Sequence, residues 1–158
     1  MPRMIILDTF PLSSTAKREP PAGTSGTTSD DCRGWVQDCV RAGNRVLAPA
    51  ITYYEALREL ERLGASSQIA RLRAFCQAIP SRYLPLTDAD INRAARLWAN
   101  ARNAGTPTAS PDALDGDVIL AAQALGLGVP LSDFVIATTN VGHLLQFVPA
   151  ALWTDIAP

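Results

Sequence analysis

Met4-Ile5-Ile6-Leu7-Asp8 decides how the rest of the chain is read. Four apolar residues run without alternation and stop on an acid. A strand with one wet face alternates apolar and polar residues. One with no alternation is buried on both faces, as a central parallel strand between two layers of helices is. Phe134-Val135-Ile136-Ala137-Thr138 repeats the pattern near the other end of the chain. Between and after these runs, Arg45-Val46-Leu47-Ala48 (stopped by Pro49), Tyr83-Leu84-Pro85-Leu86 and Leu152 to Ile156 read as further strands. The proline at 85 assigns its strand to an edge.

Helical patterns separate the strands. Residues 31–42 carry Trp35, Val36, Cys39 and Val40 on one side. Thr52 opens a helix that Gly64 ends. Ser66 or Ser67 caps another, to about Ile79, with Ile69, Leu72, Phe75 and Cys76 as its stripe. Thr87 caps a fourth, carrying Ile91, Ala94, Ala95, Trp98 and Ala101. Residues 115–126 form an almost wholly apolar helix, which belongs in the middle of the domain. Residues 16–31, rich in Pro, Gly, Ser and Thr, and 105–111 read as loops. Strands alternating with helices predict an α/β fold, a largely parallel sheet flanked by helices, in a single domain over 1–158.

Composition narrows the function. The chain has 158 residues, 47% of them hydrophobic, and a net charge of −1. It is therefore globular, and no global basic field draws it to nucleic acid. No apolar run is long enough to span a bilayer, and the amino terminus lacks the pattern of a secretion signal. Cys32, Cys39 and Cys76 lack a C-x-x-C spacing and predict reduced thiols of a cytoplasmic protein, with Cys39 and Cys76 buried. There is no P-loop, no G-x-G-x-x-G and no nucleophile elbow, and the one histidine, His143, reads as a surface or packing residue.

The chemistry-bearing residues stand where apolar segments meet loops or helix starts. Asp8 ends the first strand, Glu55 lies early in the helix after the second, Asp115 and Asp117 open the buried helix, and Asn140 follows the Phe134–Thr138 strand. In open α/β sheets ligands sit beyond the carboxyl ends of the strands, so all of these can face one crevice. Two carboxylates about 5 Å apart at an effective dielectric of about 20 repel by about 3 kcal/mol, a cost that a shared cation reverses. An oxygen-rich set without a Cys/His cluster favours Mg²⁺ or Mn²⁺ over zinc. Each residue also has a plainer use. Asp8 suits an Asx-type turn. Glu55 stands three residues after Thr52, as in a reciprocal capping box. Asp115 suits a helix N-cap, and Asn140 a turn. Arg58 pairs with a carboxylate or phosphate, or is a solvated charge beside Glu59 or Glu61.

Together, Leu7-Asp8-Thr9, Glu55 in ITYYEALREL, Asp117 in DVILAAQAL and Thr138-Thr139-Asn140 resemble the PIN domain, the nuclease fold of VapC-type toxins of toxin–antitoxin pairs. The resemblance runs from Ile5 to about Ile156. It implies a three-layer PIN-like fold and a metal-dependent endoribonuclease. In that reading Asp8, Glu55, Asp117 and Asn140 serve catalysis, and Asp8, Glu55 and Asp117, joined by Asp115, hold Mg²⁺ or Mn²⁺. It further implies an RNA substrate, a small antitoxin partner and a homodimer, to which Tyr53, Trp35 or the 66–79 helix contributes. Two departures stand out: the proline- and glycine-rich loop after Asp8 is longer than the family leads one to expect, and one acid is replaced. Asn140 occupies a place where many members have an acid, and Asp115 or Asp133 is a candidate to compensate. The rival reading is a non-catalytic module of the same fold that binds RNA or protein.

Overall fold

A computed structural model describes residues 3–108, 110 and 115–158. Asp112, in the acidic stretch before the buried helix, lies outside the described residues. The central sheet has five strands, all parallel: β1 (Met4–Leu7), β2 (Arg45–Pro49), β3 (Tyr83–Leu84), β4 (Phe134–Thr138) and β5 (Ala150–Leu152). Their order is β3-β2-β1-β4-β5. The winding reverses between β1 and β4, so the crevice of such a sheet opens at their carboxyl ends.

Six α-helices flank it among the described residues: α1 (Thr9–Ser14), α2 (Thr28–Arg41), α3 (Ala50–Arg62), α4 (Ser66–Gln77), α5 (Asp88–Asn103) and α6 (Gly116–Leu125). Successive strand residues point to opposite faces. Ile5 and Leu7 accordingly pack with Leu12, Val36, Leu60 and Leu72 on one side. Ile6 and Ile136 pack with Ile51, Leu120, Ala121 and Leu144 on the other. Ile5, Ile6 and Leu7 are each 1% exposed or less, as an unalternating strand requires.

Several sequence expectations shift. Residues 9–14, to which the sequence assigned no element, form the short helix α1, capped by Asp8. Helix α2 begins at Thr28, because Thr27 and Asp30 form a reciprocal capping box. Helix α3 begins at Ala50, with Pro49 as N-cap, so Thr52 lies inside it. Its end is as expected: Gly64 follows the last turn at φ 62°, a conformation glycine adopts without strain. Helix α4 is capped by neither serine; Ala65 is its N-cap and has no side-chain bond to offer. The last strand is Ala150–Leu152 rather than 152–156, because Ile136 pairs with Ala150 and Thr138 with Leu152; residues 153–155 then turn away. Ile91 and Ala95, expected on the buried stripe of α5, are exposed, and Ala94 and Ala101 carry its packing.

All three cysteines are free and buried. Burial pushes each thiol up to about 11, so none is a ready nucleophile. No helix among the described residues is long and apolar enough to cross a membrane.

Candidate active site

The first carboxylate is placed by the end of β1. Asp8 caps α1: its Oδ1 accepts the Thr9 N–H at 2.7 Å, and its Oδ2 accepts the Thr138 hydroxyl at 2.7 Å. Thr138 is the last residue of the neighbouring strand β4, so the reversal of the sheet itself holds this side chain. The same hydroxyl oxygen accepts the Asn140 N–H at 3.2 Å. Thr138 belongs to the Thr-Thr-Asn motif, and the motif alone does not show its hold on Asp8; the sequence signal for it is a hydroxyl closing a buried strand.

The second comes from α3. The Thr52 hydroxyl donates to the carbonyls of Leu7 (3.0 Å) and Pro49 (3.1 Å), tying the first turn of α3 to the end of β1. That bond displaces the capping-box reading: Thr52 does not cap, and Glu55 sits beyond the first turn with its side chain toward the cleft. Arg58 approaches Glu55 at 3.9 Å and lies over the Tyr54 ring.

The third group opens α6. Asp115 is its N-cap, with Oδ1 accepting the Val118 N–H at 3.2 Å. Its Oδ2 is buried and, among the described residues, has no hydrogen-bond partner. Such an atom is costly in a folded protein. Asp117 follows in the first turn, where the helix dipole favours an anion. Between them, Gly116 permits close contact: a Cβ there would stand 2.8 Å from Glu55 Oε1.

Asp8, Glu55, Asp115 and Asp117 line one cleft of about 550 Å³, with Thr9, Phe10, Ser13, Thr108, Gly116 and Thr139. Among the described residues, no three acid, His or Cys side chains are drawn together tightly enough to form a finished metal cage. Their electrostatics are nonetheless coupled. The Glu55 carboxyl is held above its usual range by burial first, then by Asp8, with Arg58 opposing. Asp117 is raised by burial first, then by Asp8 and Asp115, and His143 opposes.

Two expected contributors stand elsewhere. Asn140 is exposed and is not among the cleft-lining residues; its Oδ1 lies over Gly142. Asp133 ends the turn that precedes β4, at the amino end of that strand, where it accepts the Ser132 hydroxyl. A five-residue strand is roughly 16 Å long. Asp133 therefore does not replace a missing acid in the cleft.

No family model matches the chain, and no curated protein matches it in sequence. Solved structures do resemble it. A chain of FitAcB from Neisseria gonorrhoeae superposes with a TM-score of 0.64 at 19% identity, covering 97% of this chain and 100% of that one. A chain of VapBC-1 from nontypeable Haemophilus influenzae gives 0.60 at 17% identity, covering 96% and 99%. A chain of VapBC2 from Rickettsia felis, bound to a DNA fragment from their promoter, gives 0.65 at 12% identity, covering 95% and 98%. The three-layer α/β fold is therefore the PIN-type fold that the sequence resembles.

Proposed function

We propose that the cleft is the active site of a Mg²⁺- or Mn²⁺-dependent endoribonuclease, the toxin of a toxin–antitoxin pair. The observation that carries the reading is the cluster of acids at the sheet's reversal, with Asp115 Oδ2 buried and without a partner among the described residues. An all-oxygen donor set suits a hard divalent cation. Burial first, and the neighbouring Asp8 second, hold the Glu55 and Asp117 carboxyls above their usual range, and a bound cation would oppose both. Asp8, Glu55 and Asp117 would hold the ion, with Asp115 beside them. When bound, the cation supplies the charge that polarises a phosphodiester and acidifies water.

The chain's own residues do the positioning. Thr138 and the Thr9 N–H fix Asp8, so its carboxylate meets a ligand in one orientation. Gly116 leaves room for Glu55 beside the start of α6. Arg58, largely exposed at the rim, pairs with a substrate phosphate as it now pairs with Glu55. Asn140, exposed next to the cleft-lining Thr139, would meet a phosphate of the RNA outside the cleft and orient it by hydrogen bonding.

The antitoxin partner rests on the resemblance to the FitAB and VapBC assemblies. The test is direct: purified protein, freed of any partner, cleaves single-stranded or loop RNA with Mn²⁺ or Mg²⁺, and chelator abolishes cleavage. Intact RNA with either ion, across several RNAs, would leave a non-catalytic RNA- or protein-binding module.

The protein is also proposed to work as a cytoplasmic homodimer. Trp35 is no part of that contact: it is buried, and its indole N–H donates to the Ile156 carbonyl at 2.8 Å. The side bearing Tyr53, Tyr83 and α4 remains, with Ile79 and Leu86 exposed nearby. Light scattering at micromolar concentration should give twice the chain mass, and a single-chain mass would refute the pairing.

A further inference from the structure

Helix α6 is apolar from Val118 to Leu125 except at Gln123, which is 3% exposed. A buried amide in such a helix must find partners, and both of its ends have them. Gln123 Oε1 accepts the Ile51 N–H at 3.1 Å, and Nε2 donates to the Leu84 carbonyl at 3.0 Å. Ile51 is in the first turn of α3, where backbone N–H groups have no partner within the helix. The N-cap of α3 is Pro49, which has no side-chain donor or acceptor to serve them. Gln123 thus supplies from another helix the cap that α3 lacks.

The contact bears on the cleft by spacing. Gly116 and Gln123 are seven residues apart, on one face of α6, and Ile51 and Glu55 are four apart, on one face of α3. At one end Gly116 abuts Glu55; at the other Gln123 holds Ile51. Two contacts along one crossing fix both the slide and the rotation of α6 against α3. Those two helices carry Asp117 and Glu55. We infer that Gln123 is a positioning residue of the active site: by capping α3 from α6 it sets the separation of Glu55 from Asp117. This rests on the nuclease reading above.

Two measurements test it. In the parent protein, amide hydrogen exchange at Ile51 should be as slow as in the middle of α3, whereas an uncapped first-turn amide exchanges fast. Fast exchange at Ile51 overturns the cap, and with it the inference, and needs no variant. Gln123→Met keeps the length and removes both bonds. Mn²⁺ affinity, read by calorimetry without RNA, should fall about 10-fold, the size of effect seen when a group that orients metal ligands is removed. In turnover, kcat should drop while KM for RNA stays within about twofold, since uniform binding is untouched. Val36→Ala, in the core on the other face of the sheet, is the control for lost stability. If that variant, at comparable melting temperature, loses Mn²⁺ affinity equally, Gln123 merely supports the fold and the inference is wrong. Absence of Mn²⁺ binding by the parent would instead sink the nuclease reading, and the positioning role with it. Slow exchange at Ile51 would still stand in that case, which separates the two failures.

Discussion

An Asp117→Asn protein should lose RNA cleavage by about 10²–10³-fold, the loss that follows removal of one well-placed electrostatic group from an active site. It should also become more stable in chelator, by roughly 0.5–2 kcal/mol, as relief of an unfavourably placed charge does. The opposite signs make the test sharp. Asp117 is not the cap of α6; Asp115 is, through the Val118 N–H. Asparagine is nearly isosteric, so packing is kept, and the only stabilising contribution lost is the attraction of the helix dipole, about 0.3–1 kcal/mol. What disappears is a carboxylate already raised by burial and by Asp8 and Asp115. Cleavage rates and melting temperatures with excess EDTA would be compared for the two proteins. An unchanged rate would move the essential role to Asp115. A lower melting temperature in EDTA would make Asp117 a structural residue.

The ends of apolar runs made much of this site legible. Strand β1 is wholly apolar, β4 is apolar up to its closing Thr138, helix α6 is broken only by Gln123, and the acids Asp8 and Asp117 stand where those runs begin or stop. What was not legible depends on contacts distant in sequence. Helix α1 is six residues with Pro11 among them, too short to show a helical period. It exists because Asp8 caps it and Leu12 packs into the core. Thr52 looks like a cap in sequence, but the Leu7 carbonyl, 45 residues away, takes its hydroxyl. The final strand slid toward the amino end because β4 set its register. Asn140 and Asp133 show the same limit: proximity to a strand in sequence does not decide which side chains reach the cleft. Gln123 could have been flagged as the one polar residue of an apolar helix, although its partners could not.

The second large effect is a coupling of metal, pH and stability. Burial is the first cause raising the Glu55 and Asp117 carboxyls, and Asp8 is the second for both. Their unfolded values lie near about 4. A carboxyl raised in the folded state binds its proton more tightly there than in the unfolded chain. Its contribution to stability is therefore complete below the unfolded value and is lost as pH rises through the folded one. Other acids act the other way: Asp30 and Glu59 are lowered by their hydrogen-bond partners, Thr27 and Arg62. The melting curve of the whole protein mixes both signs, so the informative quantity is a difference. In EDTA, the melting temperature of Glu55→Gln minus that of the parent should be near zero at pH 4 and grow positive from there to neutrality. With Mn²⁺ the parent should recover what it loses, because the ion competes with protons for the same oxygens. At 100 times its Kd a ligand adds about 2.7 kcal/mol. For a chain of 158 residues that is roughly 5–10 °C in melting temperature at neutral pH. At pH 4 the increment should all but vanish. A Mn²⁺ increment that is the same at both pH values would mean that the ion binds groups other than these carboxylates. A Glu55→Gln difference that shrinks with rising pH would mean that Glu55 is stabilised by Arg58 more than it is strained by Asp8 and burial.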